Sequence, residues 1–158
     1  MNRPKPYTGS ENFIFASYSH TDQEKVFETI LEMQKRGYRV WFDAAIRPGH
    51  EWDDELALKI EECSCFVSFM SENYKKSENC KDELSYARDL EKTRVIILLE
   101  PVDLSRGGMA MRNKRVQQIS KFSYGSNDAF FEDFSVANNV DTCVEKTALP
   151  VSLPAVPD

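Results

Sequence analysis

No GxGxxG follows any apolar run in this chain, and no GxxxxGK[ST] occurs anywhere in its 158 residues. Neither a standard dinucleotide-binding turn nor a P-loop is therefore expected. Histidine is scarce: the two present, His20 and His50, fall in different loops. The four cysteines, Cys63, Cys65, Cys80 and Cys143, contain no CxxC pair. A metal site would lack ligands, so Cys63 and Cys65 read as buried structural thiols. No GxSxG elbow is present to turn one of the many serines into a hydrolase nucleophile. The Gly107-Gly108 pair reads as a turn. Positive charge is also short, with 20 basic residues against 26 acidic ones. That leaves no single basic face for counterion release, and nucleic-acid binding is not expected. A phosphate-bearing small molecule stays open, because it needs only one or two local donors. No stretch is apolar enough for a secretory signal or a membrane span, so the expected setting is cytoplasmic, with reduced thiols and no membrane partner.

What the chain does have is alternation. Its length suits one domain with a real core. Residues 1–11 read as a flexible leader. Phe13 to Ser17 is a short apolar run, the mark of a strand covered on both faces. Thr21 and Glu24 form a candidate capping box for a helix whose apolar stripe is Val26, Phe27, Ile30, Leu31 and Gln34, with Met33 flanking it. Gly37 supplies the stop. Tyr38 to Phe42 is the second strand, followed by a loop whose turn is Pro48-Gly49. Trp52, Leu56 and Ile60, spaced by four, place a helix over Glu51 to Glu62. Cys65 to Met70 is the third strand. Ser71 can cap a helical turn around Tyr74, and a longer helix runs from about Glu78 to Lys92 with Cys80, Leu84, Ala87 and Leu90 or its neighbour as its stripe. Val95 to Leu99 is the fourth strand. A fifth, edge strand is expected near Val116 to Phe122, and a final helix from Asp128 to about Val144. The last residues, 146–158, carry proline without periodicity and read as a tail or linker.

Strands alternating with helices imply a parallel sheet with helices on both faces. The flavodoxin-like order 2-1-3-4-5 is the default for five such units, and it places a ligand crevice between strands one and three. Glu83, on the helix entered from strand three, then lies near that crevice, beside an apolar stripe and not opposite it. A half-buried carboxylate there can stabilise positive charge developing in a substrate.

The successive segments FIFASYSHTD, GYRVWFDAAIRPGHEW, FVSFMSENYKKSENCKDELSYA and VIILLEPVDL resemble the ordered boxes of a Toll/interleukin-1 receptor (TIR) domain of the kind common in bacteria. The resemblance covers Asn12 to Leu104 closely and extends more loosely to about Val144, giving a domain over 12–145. The SEFIR domain shares a similar first strand. The resemblance implies a five-stranded flavodoxin-like fold and one of two roles. One is cleavage of the nicotinamide–ribose bond of NAD⁺ to ADP-ribose or a cyclic isomer, with NAD⁺ as substrate and no cofactor. The other is self-association with further TIR domains as a scaffold without chemistry. It carries the catalytic glutamate to Glu83, and substrate contacts to Tyr18, Ser19, His20, Trp52 and Ser71; Trp52 can equally be helix–sheet packing. The loop after strand two, with Asp43, Arg47, Pro48 and Gly49, matches the BB loop, implied to gate substrate and take part in assembly. One departure stands out: Asn79 occupies the position, four before the glutamate, where many active members have tryptophan. Either another aromatic, Tyr74 or Trp52, does the stacking, or activity is weak, or the chain is a non-catalytic member. A phospho-acceptor receiver on the same fold would want aspartates clustered after strand one, where Ser17-Tyr18-Ser19 supplies none.

Overall fold

The computed structural model describes residues 3–44, 54–104 and 116–146. Five strands form one parallel sheet: β1 (Ile14–Ser17), β2 (Val40–Trp41), β3 (Cys65–Met70), β4 (Arg94–Leu98) and β5 (Val116–Ser120), in the order β2-β1-β3-β4-β5. The helices are α1 (Gln23–Lys35), α2 (Asp54–Glu62), α3 (Glu72–Lys76), α4 (Glu78–Asp89), α5 (Asn127–Val136) and α6 (Val140–Cys143). The expected flavodoxin-like topology is present, with β1 between β2 and β3.

Every residue of β1, β3 and β4 is buried, as a sheet covered on both faces requires. Alternation then sorts their side chains. Ile14, Ala16, Val67, Phe69, Val95 and Ile97 meet Val26, Ile30 and Met33 of α1 and Phe130 and Phe134 of α5. Phe15, Phe66, Met70 and Ile96 turn the other way, toward Leu56 and Ile60 of α2, Tyr74 of α3 and Cys80, Leu84 and Ala87 of α4. By the same parity Ser17 and Ser68, which are register partners in β1 and β3, point into this second layer.

Four local expectations change. The capping box does not form. A 3-10 turn at His20–Asp22 leads into α1, and its cap residue Asp22 makes no side-chain cap bond, since its carboxylate is drawn inward to Ser71 and Asn73. Met33 is fully buried whereas Leu31 is only half-buried, so the stripe of α1 is centred on Met33. Leu90 is 38 % exposed and does not continue the α4 stripe. The last helix is broken: Asn138 and Asn139 take φ of 51° and 59°, which asparagine tolerates better than most residues. There Asn138 Nδ2 donates to the Arg94 carbonyl at 2.8 Å and its backbone N–H to Gln117 Oε1 at 2.9 Å, joining the break to β4 and β5. Gly37 does end α1, with φ of 98°.

Within the leader, Lys5 and Tyr7 are packed along the sheet edge. Tyr7 is buried and its N–H donates to the Val40 carbonyl at 2.8 Å, while the Lys5 carbonyl accepts from Gln34 Nε2 at 2.8 Å. Arg47, Pro48, Gly49, Trp52, the Gly107-Gly108 turn and residues 147–158 lie outside the described residues.

Candidate functional site

At the C-terminal end of the sheet the chain leaves β1 toward α1 on one face and leaves β3 toward α3 and α4 on the other. That divergence opens a crevice. Two serine caps shape its far wall. Ser71 Oγ accepts from the Tyr74 N–H at 3.0 Å to start α3, and Ser77 Oγ accepts from the Cys80 N–H at 3.2 Å to start α4. With Cys80, Leu84 and Ala87 buried against the sheet, Glu83 falls at the border of the apolar stripe and is half-buried.

A cleft of about 60 Å³ lies here, and Tyr18, Ser19, His20, Asp43, Asn79 and Glu83 are among its walls. It admits a few water molecules, against roughly 300–1,000 Å³ for a pocket that takes a whole small-molecule ligand. Of the residues expected to contact substrate, the structure brings Tyr18, Ser19 and His20 together with Glu83, along with Asp43 from the BB segment. Ser71 is not among them: it has no exposure, donates to Asp22 and caps α3 beneath the cleft. Trp52 is outside the described residues. Tyr74 cannot supply the stacking ring that Asn79 fails to provide, because it too has no exposed surface.

Tyr74 instead is buried behind the cleft lining. Ser17 Oγ donates to Glu83 Oε1 at 2.8 Å, and the Tyr74 hydroxyl lies 2.9 Å from Ser17 Oγ and 3.3 Å from Ser68 Oγ. Neither Ser17 nor Tyr74 is legible as a site residue from spacing, since 66 and 57 residues separate the bonded pairs. The one available signal is a pair of serines in otherwise apolar strands, FIFAS and CFVSFM, at registered positions.

Three groups beside the carboxylate, Cys80, Tyr18 and Tyr74, are held neutral. Burial first, then the charge of Glu83, pushes the Cys80 thiol up to about 12. Burial, followed by the charges of Asp43 and Glu83, raises the Tyr18 phenol far above its usual range, and its hydroxyl donates to the Asp43 carbonyl at 3.1 Å. Tyr74 is raised chiefly by burial. The arrangement is thus a half-exposed carboxylate above neutral hydroxyl and thiol groups. Among the described residues no cluster of His, Cys, Asp and Glu could hold a metal ion, and no helix is long and apolar enough to cross a membrane.

A parallel 2-1-3-4-5 sheet with a carboxylate set at its switch point defines an α/β domain of the flavodoxin-like class. Within that class the family is specific. The TIR-domain family model matches residues 14–134, and the chain belongs to the TIR domains. No curated protein matches it in sequence. Among solved structures it is similar to the TIR domain of the Toll-related receptor TRR-2 of Hydra magnipapillata, at 17 % identity and TM-score 0.61, over 77 % of this chain and 93 % of that one. It is also similar to the CMP N-glycosidase BcmB of Clostridium botulinum, at 21 % identity and TM-score 0.53, over 79 % and 99 %. A third likeness is to the TIR domains of the activated Roq1 resistosome, which recognises the pathogen effector XopQ, at 24 % identity and TM-score 0.51, over 84 % and 75 %. At these identities the likeness is one of fold.

Proposed function

We propose that this TIR domain is an NAD⁺ glycohydrolase or ADP-ribosyl cyclase of the cytoplasm, active when copies of it associate, with Glu83 as its catalytic residue. The carrying observation is the position of Glu83, fixed by Ser17 at the mouth of the crevice between β1 and β3. In the reaction the bond from ribose C1′ to the nicotinamide nitrogen breaks. The electron pair stays on the ring, which leaves as neutral nicotinamide and needs no proton. The ribosyl cation is captured either by water, which gives up a proton to form ADP-ribose, or by a nucleophilic atom of the same molecule to form a cyclic product. A carboxylate beside the ribose stabilises that oxocarbenium-like charge, much as in glycoside hydrolysis, and one such contact contributes about 10²–10³-fold.

Within the described walls the cleft is about 60 Å³, and from Asp43 the chain runs on into residues 45–53, which lie outside the described residues. Four free cysteines fit a reducing compartment. The name of the Clostridium botulinum relative records N-glycosidic cleavage of a nucleotide, the same bond class, so CMP belongs in the assay beside NAD⁺. The second reading, a TIR–TIR scaffold without chemistry, is favoured by Asn79 in the cleft wall, where an amide replaces a stacking ring.

The test is to incubate concentrated protein with NAD⁺ or CMP and follow release of the free base. Release that disappears in Glu83→Gln supports the enzyme; release unchanged in Glu83→Gln removes Glu83 from the chemistry. Absence of release in samples shown to be self-associated supports the scaffold.

A further inference from the structure

We propose that Ser17 and Tyr74 are positioning residues, forming a buried hydroxyl chain that orients Glu83 and commits its Oε1 to accepting from below. The inference rests on the reading of Glu83 as the group that faces the ribose. Proton accounting gives the chain its direction. A serine hydroxyl has one proton, and that of Ser17 is spent on Glu83 Oε1 at 2.8 Å. The 2.9 Å contact between Ser17 and Tyr74 must then run from the phenol to the serine. Tyr74 has one proton as well, and its other two neighbours are farther off, Ser68 Oγ at 3.3 Å and the Cys80 carbonyl at 3.4 Å. The hydroxyls therefore point in series, Tyr74 to Ser17 to Glu83, each donor strengthening the next.

The chain is rigid because the fold fixes each link. Ser17 and Ser68 are registered partners on adjacent strands and are 1 % exposed, while Tyr74 has no exposure and is anchored by the cap of α3. Among the described residues, the ionisable groups around Glu83 include Tyr18 from the end of β1, Tyr74 from α3 and Cys80 from its own helix, held in their neutral forms, with His20 and Asp43 in the same cleft wall. Loss of a hydrogen bond donated to the charged carboxylate raises its pKa.

The experiment uses the full chain with glutamate labelled at the side-chain carboxyl carbon, the Glu83 signal being assigned by its loss in Glu83→Gln. Ser17→Ala is expected to move the Glu83 titration midpoint up by about one pH unit, Tyr74→Phe by less, and Ser17→Thr, which keeps the hydroxyl, hardly at all. In the turnover assay Ser17→Ala lowers kcat about tenfold with KM little changed, and Ser17→Thr restores it. Tyr74→Phe conserves ring volume, so it tests the chain even if Ser17→Ala folds poorly. Midpoints unchanged in both Ser17→Ala and Tyr74→Phe would overturn the proposal. A wild type that cleaves neither NAD⁺ nor CMP would defeat the proposed function instead, and the titration would still decide the hydroxyl chain.

Discussion

Arg39 and Glu83 are both drawn in from the surface, at opposite ends of the same parallel strands. Arg39, 3 % exposed at the N-terminal end, donates through Nε to the Asn12 carbonyl at 2.6 Å and through Nη2 to the carbonyls of Val144 and Glu145. Its partners are backbone carbonyls of two segments, so the charge is consumed in holding the chain together. Glu83 is supported from beneath by a side-chain hydroxyl and keeps part of its surface in a cleft. Both obey the rule that a buried charge must be hydrogen-bonded. The contrast separates a staple from a site: one closes on backbone and faces nothing, the other stands on a polar floor and faces a crevice.

That contrast can be broken in descending order of effect. Glu83→Gln is expected to lower base release by about 10²–10³-fold, while a thermal melt moves little because the amide can still accept from Ser17. Arg39→Met should do the reverse. It leaves buried carbonyls short of a charged donor and costs roughly 2–4 kcal/mol in denaturant titration, with turnover per folded molecule unchanged. If Arg39→Met altered turnover at constant folded fraction, the separation of roles would fail.

An alkaline titration compares the two ends through their thiols. Cys63, beside the N-terminal end of β3, and Cys80, under Glu83, are both pushed from the ordinary 9.0 up to about 12, mainly by burial. The folded chain thus holds these protons after the unfolded chain has released them. Stability is fully present below about pH 9 and is lost as pH rises toward 12, by up to about 1.4 kcal/mol per pH unit for each thiol. The raised phenols of Tyr18, Tyr38 and Tyr74 steepen the loss above pH 10.0. Cys80→Ala should remove one share of the slope and Cys63→Ala another, while buried Cys65, also raised, keeps its own share, read by urea midpoints across the range. The smallest effect is expected far from both ends: Asp128→Asn breaks the exposed pair with Arg36 and should change stability by less than about 0.5 kcal/mol.

The strand order, the four apolar strands and the border position of Glu83 were legible because each depends on local periodicity or on a topological rule. The hydroxyls behind the cleft were not. Ser17, Ser68 and Tyr74 acquire meaning only when β1, β3 and α3 are brought together, and a serine in an apolar run reads locally as a strand end. The capping box misled in the same way, because the helix is entered through Asp22. Thr21 and Glu24 have capping-box spacing, yet the inward bond to Asp22 from Ser71, 49 residues away, wins over the local cap. Arg39 was read as one more residue of YRVWF, since nothing nearby announces carbonyls 105 and 106 residues further on. The break at Asn138 escaped because its reward is also distant, in Arg94 and Gln117.

The guanidinium of Arg39 gathers residues 12, 144 and 145 at a single point. The stretches at residue 12 and at residues 144–145 therefore share one anchorage, at the end of the strands away from the cleft. A tension applied across these two attachment points is borne by that knot instead of being passed along the strands.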